Sequence, residues 1–138
     1  MLAKYLWEAG SSVIAVIAGM HLYLTFFTDK FSSHNKKLVA DMQSSSPILT
    51  KELTMWKAWI GFNASHSSGG IFIGVLNFYL AYQYFDTLQS DHFFFIFNIV
   101  TLSFYVWVAQ KYWFKTPLRG LIITLGFYVT GYLLVLGK

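Results

Sequence analysis

Apolar positions along the chain fall into four long stretches, which polar residues separate. An α-helix of about 20 apolar residues spans the ~30 Å hydrocarbon core of a bilayer, and each stretch reaches that length. Because the second and third links are short, successive helices should pack antiparallel. The pattern predicts an all-α fold, an integral membrane antiparallel four-helix bundle forming a single transmembrane domain over residues 1–138, with spans at about 5–28, 55–84, 93–113 and 118–136.

The first link, residues 29–54, is the largest polar region of the chain. Within it, residues 35–42 mix apolar and charged positions at helical spacing. This predicts a short amphipathic helix on the cytoplasmic membrane surface, with Asn35 as its N-cap. A serine followed by Pro47 is a typical helix start, so we expect the second long helix to begin at Pro47.

Basic residues are distributed unevenly among the links. The second link has no lysine or arginine and contains two aspartates. Cytoplasmic loops of membrane proteins carry an excess of basic residues. We therefore expect the first and third links to face the cytoplasm, because these links hold Lys30, Lys36, Lys37 and Lys51, and Lys111, Lys115 and Arg119.

The composition supports a membrane protein and excludes some chemistries. The chain is 56% hydrophobic and 12% charged, whereas average soluble domains carry about 25% charged residues. The net charge is +4, and the basic residues cluster between the apolar stretches. This position favours contact with anionic lipid over contact with nucleic acid. The chain has no cysteine, which excludes a disulfide, a thiolate metal site and a cysteine nucleophile.

Polar and small residues form a stripe in the second stretch. They are spaced 3, 1, 3, 4 and 3 residues apart, which places them on one face of a helix. A polar stripe inside an apolar segment needs a structural or functional reason, since burying polar groups in hydrocarbon is costly. The stripe consists of Asn63, His66, Ser67, Gly70, Gly74 and Asn77.

Two histidines occupy predicted spans at the same depth. His21 lies 8 residues before Asp29 and His66 lies 9 residues after Lys57, which corresponds to ~12 and ~13 Å at 1.5 Å per residue. Antiparallel neighbouring helices could bring both imidazoles together, with hydroxyl groups of the third and fourth spans beside them. The predicted polar pocket is lined by His21, Asn63, His66, Ser67, Tyr105 and Tyr128.

Several residues also have purely structural interpretations. Neutral histidines in a helical bundle can hydrogen-bond to neighbouring polar groups and only stabilise helix packing. Tryptophans near span ends are typical interfacial anchors, and glycines allow close helix contact. These interpretations apply to the tryptophans Trp7, Trp56, Trp59 and Trp113, and to the glycines Gly74, Gly120, Gly126 and Gly131.

The string Gly61-Phe62-Asn63-Ala64-Ser65-His66-Ser67 resembles a G-F-N-x-S-H-S signature of small bacterial four-helix integral membrane proteins. Gly19-x-His21-Leu22-Tyr23 upstream and Tyr112-Trp113-Phe114 downstream extend the resemblance. The resemblance implies four spans and a location in the bacterial inner membrane, and it draws attention to Asn63 and His66, but it implies no reaction. The family pattern has a large apolar residue where Ser68 stands. A fainter similarity to four-span sterol-isomerase-type domains lacks a match for their acidic catalytic residues.

Three functions remain open from the sequence. The first is a membrane protein that binds an apolar ligand or cofactor, such as a lipid, a quinone or a b-type haem whose iron His21 and His66 would ligate. The second is a small enzyme acting on a lipid-like substrate, with His66 as general acid or base. The third is an accessory or assembly subunit that contacts other membrane subunits or forms a homo-oligomer. Phosphate-binding and hydrolase motifs are absent from the sequence.

Overall fold

The structure is a computed structural model that describes residues 1–137, and these residues form α-helices and no strand. The prediction of an all-α fold is therefore confirmed. Four of the helices are long and lie close to the four predicted apolar stretches. The helices are α1 (Leu2–Phe27), α2 (Lys36–Ser44), α3 (Met55–Leu88), α4 (His92–Tyr112) and α5 (Lys115–Leu136).

The short helix in the first link forms as predicted. The Asn35 side-chain oxygen accepts hydrogen bonds from the backbone N–H of Lys37 at 3.0 Å and of Leu38 at 3.3 Å. These bonds satisfy two N–H groups that have no partner inside the helix. Asn35 is therefore the N-cap of α2, as the sequence predicts.

The predicted start of the second long helix is wrong. Pro47 lies among turns, and α3 begins at Met55. Thr54 supplies the cap instead, because its side-chain oxygen accepts from the Lys57 N–H at 3.3 Å. The Met55 N–H donates to the Ser45 carbonyl at 2.8 Å, which fixes the chain just before the helix.

Three helices, α1, α4 and α5, are long and apolar enough to cross a membrane among the residues described. α3 is not one of them, although it is the longest helix with 34 residues. The polar stripe in its first half lowers its average hydropathy. Near its end the backbone leaves helical geometry at Tyr84, with φ −127° and ψ 19°.

The chain divides into two compact units, and α1 and α3 contribute to both. The first unit contains Met1–Ile17 and the chain from Gly70 onward, and the second unit contains Ala18–Gly69. Aromatic and aliphatic side chains of α1, α3, α4 and α5 form the core of the first unit. Its buried members include Trp7, Ile14, Ala81, Phe85, Phe95, Leu102, Ala109, Leu121 and Tyr128.

Glycines allow close helix contacts within the first unit. A Cβ atom on Gly74 would lie 2.6 Å from Cγ2 of Ile14 and 2.7 Å from the backbone nitrogen of Ala15. A Cβ on Gly131 would lie 3.3 Å from the Ala3 carbonyl oxygen, and a Cβ on Gly120 would overlap the flexible end of the Ile17 side chain. The expectation of close helix contact is wrong at Gly126, because a Cβ placed there has no neighbouring atom within 4 Å.

Trp7 is not the interfacial anchor that the sequence suggests, because its side chain is 0% exposed. Its ring stacks on Tyr128 with 3.7 Å between centroids, and its Nε1 donates to the Asn77 side-chain oxygen at 3.1 Å. The Asn77 amide nitrogen in turn donates to Asn98 Oδ1 at 2.9 Å. A tryptophan near a helix end can therefore face the protein interior if a neighbouring helix supplies an acceptor for its N–H.

Candidate functional site

The second unit brings together polar side chains from α1 and α3. His21 comes from α1, while Asn63, His66 and Ser67 follow each other at positions i, i+3 and i+4 of α3. Side chains at this spacing lie on one face of a helix, so a single face of α3 presents all three residues. The predicted members His21, Asn63, His66 and Ser67 therefore belong to one local cluster.

Asn63 fixes the orientation and the protonation pattern of His21. The Asn63 amide nitrogen donates to the Trp59 carbonyl at 2.9 Å, so the side-chain oxygen is turned toward α1. That oxygen lies 3.0 Å from His21 Nε2. A carbonyl oxygen only accepts, so His21 Nε2 carries the proton, and in the neutral ring Nδ1 is left as an acceptor.

The two imidazoles are neighbours. Their ring centroids are 5.5 Å apart and the ring planes meet at 74°. Both histidines are half-buried, as is Asn63. The depth comparison made from the sequence therefore agrees with the position of the two rings, which lie side by side.

Ser67 and Thr25 are buried residues of this region whose hydroxyls bond to carbonyls of their own helices. Ser67 is buried, and its hydroxyl donates to the backbone carbonyl of Asn63 one turn earlier. Thr25 is likewise buried and donates to the His21 carbonyl at 2.8 Å. Hydroxyls bonded to their own helix in this way are satisfied without a partner from elsewhere.

Phe31 and Trp59 are part of the site, although the sequence did not indicate them. The Phe31 ring lies 4.4 Å from the His21 ring, centroid to centroid. The Trp59 indole N–H donates to the Phe31 carbonyl at 3.1 Å, which holds the start of the first link against α3. Phe31 is the single phenylalanine, tyrosine or tryptophan of residues 29–54, but nothing in the sequence specifies that its ring would contact His21.

The two predicted tyrosines belong to the first unit. Tyr128 is 0% exposed, and its hydroxyl lies 2.7 Å from the Ser11 hydroxyl. Tyr105 is half-buried, with its ring 6.5 Å from the Trp113 ring and 6.2 Å from the Phe104 ring. These ring and hydroxyl contacts are with first-unit residues, and the candidate site is taken as the four predicted residues that belong to the second unit.

The donor set limits which metals the site could hold. Structural zinc takes four protein ligands and catalytic zinc usually three. No group of three or more His, Cys, Asp or Glu side chains suited to a metal occurs among residues 1–137. Haem iron needs only axial ligands from the protein, and a histidine whose other nitrogen donates to a carbonyl oxygen is a typical ligand arrangement. The two imidazoles of the candidate site supply fewer protein ligands than either kind of zinc site takes.

No protein-family model, curated protein or solved structure matched the chain when it was compared with each of these sets. The resemblance through the G-F-N-x-S-H-S signature therefore stays a prediction.

Proposed function

We propose that the chain is a small integral membrane protein whose four long helices form an antiparallel bundle in the bacterial inner membrane. Three helices of sufficient length and apolarity support this, as do the large exposed hydrophobic side chains on every long helix. Soluble monomers rarely expose contiguous apolar surface on this scale, whereas lipid covers it. The basic residues of the first and third links favour a cytoplasmic position for both.

We propose further that the second unit binds an apolar ligand through His21, Asn63 and His66. The observation that carries this proposal is the His21 ring, which Asn63 orients beside His66 at 5.5 Å in a half-buried position. Polar residues at membrane depth are costly, and such groups usually mark a functional site. The arrangement offers an acceptor at His21 Nδ1 and a second imidazole beside it.

A ligand with a carbonyl or hydroxyl group on an apolar body suits this arrangement best. A quinone or a lipid needs only one or two hydrogen bonds from the imidazoles, and the aromatic ring of Phe31 provides an apolar wall. A b-type haem is the second candidate, since the paired imidazoles could serve as its axial ligands. The two candidates differ in a simple observable, because haem absorbs visible light and lipid does not.

The test is native mass spectrometry of the detergent-purified protein, combined with a visible absorption spectrum. We expect a bound small molecule in the wild-type protein. Replacing His21 or His66 with alanine should lower its occupancy about two- to tenfold, the effect of losing one hydrogen bond. His92→Ala is the matched control, because His92 is an exposed histidine of the first unit whose ring contacts Tyr132.

The possible results separate the competing functions. A Soret band that disappears in the His21 and His66 variants identifies haem as the ligand. Wild-type protein that carries no small molecule, or equal occupancy in all variants, would end the binding proposal. If the protein purifies only together with other polypeptides, the accessory-subunit function replaces it. A bound lipid that is chemically altered only when His66 is present would identify an enzyme.

A further inference from the structure

The second unit contains a cleft outside the histidine site. It lies between the end of α1 and α2, has a volume of about 870 Å³, and is open to the surface, since seven of its nine lining residues are exposed. Ligand sites commonly have volumes of about 300–1,000 Å³. The polar residues that line this cleft include Lys30, Ser32, Ser33, His34 and Lys36, whereas Val39 and Ala40 of α2 form an aliphatic wall.

Cations predominate in this cleft. The cleft is lined by two lysines, Lys30 and Lys36, and by one carboxylate, Asp29. With His34 neutral, its lining therefore carries one net positive charge. The only ion pair among residues 1–137 joins Lys4 and Glu8 in the first unit. The cleft lysines therefore have no carboxylate within salt-bridge distance, and the site can accept an anion without breaking an existing pair.

Side chains, not the end of the helix, would hold that anion. Asn35 already accepts hydrogen bonds from the first free N–H groups of α2, at Lys37 and Leu38. Lysine ammonium groups and serine hydroxyls remain, and both are common donors to phosphate oxygens. Ser33 is exposed, and its hydroxyl oxygen accepts from the Asn35 N–H at 3.1 Å, which leaves the hydroxyl proton to donate to an anion.

We propose that this cleft binds a phosphate group, and that the phosphate belongs to an anionic phospholipid. The lipid source is favoured because the same unit exposes two consecutive large aliphatic side chains, Ile48 and Leu49, almost completely. Exposed aliphatic residues next to lysines are typical of segments that lie on an anionic membrane surface. The choice of a lipid rests on the proposed membrane location, whereas the phosphate site itself does not.

The experiment compares two lysines that are adjacent in sequence. The full-length protein is reconstituted in nanodiscs of phosphatidylcholine with a minor fraction of phosphatidylglycerol, and the retained phosphatidylglycerol is counted by native mass spectrometry. Lys36→Gln should lower this binding about fivefold, as expected for one lysine near an anionic headgroup. Lys37→Gln makes the same charge change outside the cleft and should leave binding close to wild type. Lys30→Gln should reproduce the effect of Lys36→Gln.

Competition identifies the source of the phosphate. If soluble glycerol phosphate displaces the lipid only at much higher concentration, the lipid is the ligand. If soluble glycerol phosphate or inorganic phosphate binds the detergent-purified protein as tightly as the lipid does, the phosphate site stands and the ligand is soluble. Equal losses in Lys36→Gln and Lys37→Gln would show attraction by charge alone and overturn the proposal, as would no loss in either.

This experiment is independent of the histidine site. The cleft variants should retain any small molecule bound at His21 and His66, and the histidine variants should retain phosphatidylglycerol. Resistance of the protein to alkaline extraction from membranes checks the membrane location separately. The phosphate cleft, the histidine site and the membrane location therefore each have a separate measurement, and any one of the three proposals can fail while the other two stand.

Discussion

The two units use the same polar residue types in different ways. In the first unit, Asn77 is buried, and both ends of its amide have partners, Trp7 and the Ile73 carbonyl among them. In the second unit, Asn63 is half-buried and its oxygen faces a histidine, not an indole. In the first unit the chain of hydrogen bonds runs from Trp7 through Asn77 to Asn98, all within the unit, whereas in the second unit it ends at a half-buried pair of imidazoles.

This difference separates polar groups that stabilise helix packing from those that can act on a ligand. Hydrogen bonds between membrane helices contribute modestly, about 0.6 kcal/mol on average, so a closed network mainly specifies which faces meet. A half-buried histidine pair contributes less to helix packing than a buried hydrogen-bond network does. Its imidazole nitrogens can still donate or accept a hydrogen bond. The comparison predicts that substitutions in the first unit affect folding and those in the second unit affect binding.

The largest effect on folding should come from Gly74→Ala. The new Cβ would lie 2.7 Å from the Ala15 backbone nitrogen and 2.8 Å from its Cβ, so α1 and α3 must separate locally. Overpacking of this kind costs about 1–3 kcal/mol. Unfolding in a titration with sodium dodecyl sulfate measures the loss.

Gly126→Ala is the matched control, since a Cβ there meets no neighbouring atom within 4 Å. It should be neutral or stabilising by up to about 1 kcal/mol, because alanine favours a helix over glycine. Equal destabilisation by both substitutions would contradict the close contact described for Gly74.

Asn77→Leu should have the next largest effect on stability. It leaves the Trp7 indole N–H and the Asn98 side-chain oxygen without their partner in a buried region. We expect a loss of about 1–2 kcal/mol in the same unfolding titration, the upper end for hydrogen bonds between membrane helices.

The corresponding change in the second unit, Asn63→Leu, should cost less than about 1 kcal/mol, because water or lipid headgroups can replace its hydrogen bonds. Its main consequence should be weaker ligand binding, since His21 loses the group that orients its ring. If Asn63→Leu destabilised the protein more than Asn77→Leu, the distinction between the two units would be wrong.

The smallest effect on global stability should come from Trp59→Phe. This substitution keeps an aromatic ring but removes the N–H that donates to the Phe31 carbonyl. We expect a change of about 0.5 kcal/mol or less in unfolding, and faster hydrogen exchange confined to the start of the first link. Trp56→Phe is a suitable control, because no hydrogen bond is described for the Trp56 indole. Unchanged exchange in residues 28–35 would contradict a role for Trp59 in holding the link.

Much of the fold follows from the sequence because its signals are local. Long apolar runs fix the four long helices, and the side chain of Asn35 fixes the start of α2, since both depend on residues within a few positions of each other. The sequence also predicted that His21 lies near Asn63 and His66. The prediction was possible because the number of residues between each histidine and the charged end of its helix gives its expected depth in a membrane. Local signals gave the wrong start for α3 at Pro47, because Thr54 is an equally good N-cap further along the chain. The hydrogen bond from the Met55 N–H to the Ser45 carbonyl, which the local sequence does not indicate, holds the chain between these positions in turns.

Contacts between helices were decided only by tertiary structure. Periodicity shows that Trp7 and Asn77 each lie on a face of a helix, but not that the indole donates to that amide. It does not show that Phe31 folds back over His21, or that Gly74 meets α1 while Gly126 meets nothing. The physical reason is that helix formation depends on neighbours along the chain, whereas the rotation of one helix against another depends on the shapes of both surfaces at once.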